Sequence, residues 1–127
     1  MALALRWRDQ GVADDAVRGA MLISGPHDLE PVMLSARSSY VKLTKQEERD
    51  YSPVLQASRI PCPVFVGYAE RDTDEFRRQS QAFARALEAA GKLNGVECFA
   101  GRHHFQIMQD FGNPDSPLVC AIVSRMA

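Results

Sequence analysis

Two residues of this 127-residue chain, Asp72 and His104, have the types and the spacing that could do chemistry. Each follows a short apolar segment that predicts a β-strand, residues 64–68 (VFVGY) before the aspartate and 96–99 (VECF) before the histidine. A carboxylate that accepts a hydrogen bond from an imidazole fixes the tautomer of the ring and stabilises the imidazolium formed on proton uptake. The pair therefore predicts an acid–base site of the kind used in acyl transfer.

The elements that must position this pair alternate between strand and helix along the chain. A third apolar segment, residues 18–24 (RGAMLIS), predicts a strand buried on both faces. Helices are predicted over residues 1–10, 30–36, 45–49, 53–58, 76–90, 105–111 and from Ser116–Pro117 onward. This order is typical of an α/β fold with parallel strands and helical crossovers. Because the carboxyl ends of such strands share one edge of the sheet, we expect Asp72 and His104 to lie side by side.

Each member of the pair has an alternative interpretation. Asp72 could cap the following helix, since Asp72 and Glu75 have the spacing of a capping box, although Thr73 could cap it instead. Asp74 is the other acid in reach, but it falls in the first helical turn, where a negative charge suits the helix dipole. His103 and His104 are adjacent, and without further context one of them would be a surface residue and the other a structural histidine.

Ser24 is the candidate nucleophile within the chain, because Ser24, Asp72 and His104 follow one another in an order that occurs in serine hydrolases. The nucleophilic serine of such a site occupies a sharp turn directly between a strand and a helix. Gly25 and Pro26 follow Ser24 and do not lead directly into a helix. A polar residue at the end of a strand is therefore the favoured interpretation of Ser24.

Composition excludes several classes of partner. The formal net charge is −1 and the basic residues are scattered, which argues against nucleic-acid binding. No apolar run approaches the roughly 18–20 residues that span a bilayer, so we expect no membrane insertion. Cys62, Cys98 and Cys120 are an odd number without the spacing of a metal or redox motif. They predict reduced, buried thiols in a cytoplasmic protein.

Four stretches together carry a resemblance to a known family: residues 24–32 (SGPHDLEPV), 51–54 (YSPV), 75–80 (EFRRQS) with Asp72 upstream, and 101–107 (GRHHFQI). In these stretches the chain resembles the C-terminal half of an α/β-hydrolase. It is most similar to the arylformamidase-like (kynurenine formamidase-like) esterases, near the hormone-sensitive-lipase-type carboxylesterases. The resemblance implies that residues 1–127 form the C-terminal part of one α/β-hydrolase domain, with about three parallel strands and flanking helices.

The same resemblance implies a reaction and its residues. Asp72 would be the triad acid, His104 the triad base, and His27 a residue that lines the substrate pocket. The family reaction is hydrolysis of a carboxylic ester or an aryl formamide through an acyl-serine, with a small molecule as substrate. It implies no cofactor and no metal.

One expected part is missing, because the sequence contains no G-x-S-x-G turn for a nucleophilic serine. A gene fragment, a mis-assigned start or a trimmed chain would explain the absence, and we expect the chain alone to be inactive. A different hypothesis is a non-catalytic interaction or dimerisation module, in which residues 18–24 form an exposed sheet edge that pairs with a second copy. A third is a small metal-binding domain that uses His103, His104 and Cys98.

Overall fold

The structure is a computed structural model that describes residues 11–13 and 15–125. Within them, three parallel strands form one sheet in the order β1–β2–β3, with β1 at Ala20–Ile23, β2 at Val64–Ala69 and β3 at Leu93–Phe99. The predicted α/β fold with three parallel strands and flanking helices is confirmed. The helix predicted over residues 1–10 lies outside the described residues.

Helical segments connect and flank the strands. The α-helices are α1 Glu30–Leu34, α2 Lys45–Asp50, α3 Asp74–Ala89, α4 His104–Gln109 and α5 Pro117–Val123, with 3₁₀ turns at Ala36–Ser39, Pro53–Arg59 and Asp110–Gly112. Most of the predicted helices are present near their expected positions. The segment predicted as a helix over residues 53–58 is a 3₁₀ helix, and the one over 105–111 is α4 followed by a 3₁₀ turn.

The core lies on both faces of β2, the central strand. Val64 and Val66 face Phe83 and Leu87 of α3 on one side of the sheet. Phe65 faces the other side, in a cluster completed by Ala69, Phe99, Ile107, Leu118 and Ala121. Because side chains alternate along a strand, one central strand supplies two separate apolar layers. These two layers hold the carboxyl end of β2, and the candidate acid Asp72 follows shortly after it.

Strand β1 corrects the expectation that residues 18–24 would be buried on both faces. All four residues of β1 are half-buried. The physical reason is its place in the sheet, since among the described residues β1 pairs with β2 and with no other strand. Strand β3 is also longer than expected and begins at Leu93, because Gly95, at φ 144°, is accommodated by an irregular register opposite β2.

For helix α3, the structure decides between the two caps that the sequence left open, and it confirms the predicted stop. The Thr73 side chain accepts a hydrogen bond from the Phe76 amide, so Thr73 is the cap and Asp72 is not needed for that purpose. The Gly91 backbone is left-handed at φ 66° directly after the helix, a conformation that costs glycine little. At α5, Ser116 accepts from the Val119 amide and Pro117 is the first helical residue, also as predicted.

The cysteines are free, as expected, but only Cys62 is buried, whereas Cys98 and Cys120 are exposed. The expectation of three buried thiols was therefore wrong. Successive side chains of β3 point to opposite faces of the strand, so Cys98 meets solvent whereas Phe99, the next residue, is buried.

In the described part of the chain, no helix has the length and apolar character needed to cross a membrane.

Candidate active site

The two predicted residues meet at the carboxyl ends of β2 and β3. Asp72 Oδ1 lies 2.9 Å from His104 Nδ1. The Asp72 side chain is completely buried, whereas the His104 side chain is 37% exposed. The expectation that these residues lie side by side is thus confirmed. A buried carboxylate on Nδ1 favours the tautomer that carries its proton there and leaves Nε2 as a proton acceptor.

The second oxygen of Asp72 is also fully engaged. Asp72 Oδ2 accepts the Ala69 backbone amide at 2.9 Å and the Ser24 hydroxyl at 2.6 Å. Both oxygens of the buried carboxylate therefore have hydrogen-bond donors, as buried polar groups require. The three donors lie at or just beyond the carboxyl ends of the three strands, at one edge of the sheet.

Backbone hydrogen bonds hold the acid loop and the histidine loop together. The Arg71 amide donates to the Arg102 carbonyl at 2.8 Å, and the Glu70 amide donates to the Phe99 carbonyl at 3.1 Å. The Gly101 amide in turn donates to the Glu70 carboxylate at 2.8 Å. These links cross from one loop to the other, so the separation of Asp72 and His104 is set by the backbone.

Aromatic rings fix the orientation of the His104 imidazole. The Phe76 ring lies 4.6 Å from it, centroid to centroid, and the Phe105 ring meets it edge-on at 5.5 Å. Among the described residues, no group is hydrogen-bonded to His104 Nε2, and the ring is partly exposed. The imidazole is therefore held from one side by its acid and remains accessible to a reacting group.

His103 has a different, structural role. Its Nδ1 accepts the amides of Phe105 and Gln106, and the Gln106 side chain accepts the His103 amide in return. This reciprocal arrangement is a capping box at the start of α4. His103 therefore positions the helix that carries His104, and it does not contact Asp72.

His27 is buried and stacks on Phe83 at 4.5 Å between centroids. Burial lowers the pKa of His27 to about 4, so the ring is neutral at neutral pH. Its Nε2 is buried without a hydrogen-bond partner among the described residues. His27 borders a cavity of about 370 Å³ beside β1, which Met108 and Phe111 also line.

A second cavity, of about 260 Å³, adjoins the His104 side of the site. The residues that line it include Pro26, Val32, Arg37, Thr73, Phe76 and Gln79. Since the Phe76 ring packs on His104, this cavity opens next to the candidate base. His27 does not line it, so the predicted substrate-lining residue lies beside a different cavity from the one that Phe76 lines.

Gln79 is a site residue that the sequence analysis missed. Its Oε1 accepts the backbone amides of His27 and Asp28 at 2.7 and 2.8 Å, and its Nε2 donates to Glu75. Hydrogen bonds from Arg78 and Gln79 lower the pKa of Glu75 to about 2. The sequence signal that could have identified Gln79 is its spacing. It lies three residues after Phe76 and four before Phe83, and therefore on the apolar face of α3.

Ser24 contacts the acid of the pair and not the base. A serine nucleophile must give its proton to the imidazole nitrogen opposite the acid, which here is Nε2 of His104. The Ser24 hydroxyl instead donates to Asp72, on the far side of the carboxylate from the ring. The arrangement therefore does not favour Ser24 as a nucleophile.

Comparison with solved structures shows the fold to which this geometry belongs. A proposed thioesterase from Silicibacter sp. TM1040 superposes with a TM-score of 0.75 at 22% identity, over 87% of this chain and 40% of that one. A puromycin-hydrolyzing peptidase of Mycobacterium tuberculosis superposes with a TM-score of 0.60 at 24% identity, over 71% of this chain and 15% of that one.

Sequence comparison adds two kynurenine formamidases. The chain is 32% identical to that of Danio rerio over 114 residues, which is 86% of this chain. It is 29% identical to that of Salmo salar over 99% of this chain. The chain is similar to part of an arylformamidase-like α/β-hydrolase. The resemblance drawn from the four sequence stretches is thereby confirmed.

This arylformamidase-like chain spans 39% and 45% of the lengths of these two relatives. No protein-family profile matches it. Among its described residues no cluster of three or more histidine, cysteine or acidic side chains could hold a metal ion.

Proposed function

We propose that Asp72 and His104 are the acid and the base of a serine hydrolase that cleaves a carboxylic ester or an aryl formamide. The single observation that carries the proposal is the 2.9 Å contact between a fully buried carboxylate and Nδ1 of a partly exposed imidazole. This arrangement is what an acyl-transfer base needs, because the buried acid selects the tautomer and stabilises the charge that forms on the ring.

In the proposed reaction, His104 Nε2 takes the proton of a serine hydroxyl while the serine oxygen bonds to the substrate carbonyl carbon. The imidazolium, paired with Asp72, then gives that proton to the departing alcohol or amine, which leaves an acyl-serine. Water repeats the sequence, its proton passing to Nε2 and then to the serine oxygen as the acid is released.

The nucleophilic serine and the oxyanion-binding amides are proposed to come from outside these 127 residues. The sequence has no G-x-S-x-G turn, and Ser24 contacts Asp72. Those groups supply most of the rate enhancement in acyl transfer. The chain by itself is therefore proposed to be inactive.

The two curated relatives are named kynurenine formamidases, which favours an aryl formamide over a simple ester. The cavity of about 260 Å³ beside Phe76 is the proposed place for part of that small molecule. A cytoplasmic location, inferred from the free cysteines, belongs to the same proposal.

A chimera tests the proposal. Residues 18–111 of this chain would replace the corresponding segment of the Danio rerio kynurenine formamidase, a longer protein of which this chain spans 39%. We expect hydrolysis of N-formylkynurenine, loss of turnover in a His104→Gln chimera, and near-unchanged turnover with His103→Asn, which retains a side-chain acceptor for the helix cap. Equal losses with both substitutions would contradict the role of His104, and so would turnover that survives His104→Gln.

A second candidate function is a non-catalytic interaction module that associates with a second copy of itself. The observation in its favour is the edge of β1, which among the described residues has a hydrogen-bonded neighbour on one side only. Beside it, Met108 and Phe111 are 50% and 48% exposed and line the same cavity as β1. An open strand edge next to exposed apolar side chains favours pairing with another strand.

A further inference from the structure

We infer that Ser24 is a positioning residue whose hydroxyl orients the Asp72 carboxylate so that Oδ1 faces His104. This inference rests on the proposed roles of Asp72 and His104 and adds a residue that those roles do not include. It concerns a serine at the end of β1, which lies 48 positions before Asp72 in the chain.

The argument begins with the rotation of the carboxylate. The final torsion of an aspartate side chain is broad, so its preferred rotamer alone does not fix the plane of the carboxylate relative to a neighbour. The two oxygens of Asp72 have separate hydrogen-bond partners. Oδ2 accepts hydrogen bonds from the Ser24 hydroxyl and the Ala69 amide, whereas Oδ1 accepts one from His104. With the side chain fully buried, loss of the Ser24 donor would leave Oδ2 one hydrogen bond short, and the carboxylate could turn.

The backbone of Ser24 gives a second, independent argument. Ser24 has φ 47° and is the single non-glycine residue with a positive φ in the described part of the chain. Its amide nevertheless continues the sheet, donating to the Gly67 carbonyl at 2.8 Å. Glycine would adopt this conformation without steric cost but would give no hydroxyl to Asp72. Strain of this kind persists where the surrounding structure holds it, which occurs most often at functional sites.

The loop that follows Ser24 is held from two sides. Gln79 accepts the amides of His27 and Asp28, and the Val54 amide donates to the His27 carbonyl at 2.9 Å. The buried Ser52 hydroxyl accepts the Leu29 amide. Ser24 is therefore fixed at both ends, by the sheet before it and by α3 and the Pro53–Arg59 turn after it, so its hydroxyl is presented to Asp72 at a defined position.

Nuclear magnetic resonance of the histidine rings tests this role in the 127-residue chain, labelled with ¹⁵N-histidine. In the unsubstituted chain we expect His104 as the Nδ1–H tautomer with a slowly exchanging ring proton. Ser24→Ala and Ser24→Gly both remove the hydroxyl, and the glycine also fits the left-handed backbone. In both we expect His104 Nδ1–H exchange to accelerate by about tenfold, the effect of weakening one hydrogen bond to a charged group, and the second tautomer to appear.

Ser80→Ala is the matched control, since Ser80 is also fully buried and its hydroxyl has no hydrogen-bond partner among the described residues. We expect Ser80→Ala to leave the His104 signals unchanged, and the signals of His27 and His103 to be unchanged in all variants. The inference is overturned if His104 keeps its original signals in Ser24→Gly, or if all three histidines change together. Because the readout does not involve turnover, an inactive chimera would refute the proposed function and leave this result standing.

Discussion

Asp72 and His104 are 32 positions apart in the chain, yet their side chains meet at 2.9 Å between Oδ1 and Nδ1. The acid is completely buried and the histidine is partly open, so water reaches one member of the pair and not the other. The Ala69 amide and the Ser24 hydroxyl donate hydrogen bonds to the other oxygen of the Asp72 carboxylate, Oδ2. This asymmetry is what a base needs if it is to exchange protons with a reacting group while its orientation stays fixed.

The isolated chain is expected to be inactive. It should hydrolyse neither 4-nitrophenyl acetate nor N-formylkynurenine above the rate in buffer, because the Ser24 hydroxyl donates its hydrogen bond to Asp72 and no serine among the described residues is hydrogen-bonded to His104. A spectrophotometric assay of the purified chain checks this. Saturable turnover that disappears both in Ser24→Ala and after treatment with a serine-directed fluorophosphonate would instead make Ser24 the nucleophile.

The chain is also expected to self-associate through the edge of β1. In the part of the chain that the structure describes, this strand has a neighbour on one side only, next to the half-exposed side chains of Met108 and Phe111, and pairing with another strand would stabilise it. Sedimentation velocity at low micromolar concentration should show a dimer or a larger species, and Met108→Lys should shift it toward monomer. A monomer with a sharp, cooperative melt would contradict the prediction.

Gln79→Leu should lower the free energy of unfolding by about 2–5 kcal/mol. The substitution leaves two amides of the loop after β1, those of His27 and Asp28, without an acceptor, and each unpaired group costs about 1–3 kcal/mol when buried. Urea denaturation measures the effect. Gln81→Leu, two residues along the same helix at an exposed position, is the matched control and should change stability by less than about 0.5 kcal/mol. Equal effects from both would contradict the role of Gln79.

His27 should make the fold sensitive to mild acid. Its pKa is lowered from 6.5 to about 4 in the folded chain by burial, so below pH 6.5 the unfolded chain binds a proton that the folded chain does not. Stability attributable to His27 is therefore present at pH 7 and falls by about 3 kcal/mol as the pH drops toward 4.

The substitution His27→Phe retains an aromatic ring against Phe83 but removes the titrating group. Urea denaturation at pH 7 and at pH 4 should show a smaller loss of stability for His27→Phe than for the unsubstituted chain. A control substitution at the exposed His103, His103→Asn, should keep the full loss. If His27→Phe and the unsubstituted chain lose the same stability, the lowered pKa of His27 is not the cause.

The sequence predicted the central contact because its determinants are regular. Asp72 and His104 each follow an apolar strand, and parallel strands joined by one helix bring successive loops together. The apolar stripe and the Gly91 stop of helix α3 were equally predictable, since both act within a few residues of chain, whereas the sequence left Asp72 and Thr73 both open as its cap.

The remaining features of the site depend on contacts that local patterns do not encode. The hydrogen bond from Ser24 to Asp72 joins distant positions and requires a left-handed backbone that serine rarely adopts. The cap formed by His103 was not predicted because histidine is not among the preferred capping residues, and only Gln106 three positions later signalled it. The early start of β3 was hidden by Asn94 and Gly95, which are typical of turns.

The most direct test of the account is the effect of Asp72→Asn on kcat in the chimera with the Danio rerio enzyme, compared with Asp74→Asn. Both substitutions remove one carboxylate charge, two positions apart, but Asp74 is an exposed residue in the first turn of α3. We expect Asp72→Asn to lower kcat for N-formylkynurenine by about 10⁴-fold, because an amide at this position no longer selects the Nδ1–H tautomer of His104. Asp74→Asn should leave kcat within about threefold, as expected for an exposed substitution away from the site. A chimera that keeps its kcat after Asp72→Asn, or that loses it equally with either substitution, would contradict the assignment of Asp72 as the acid that orients His104.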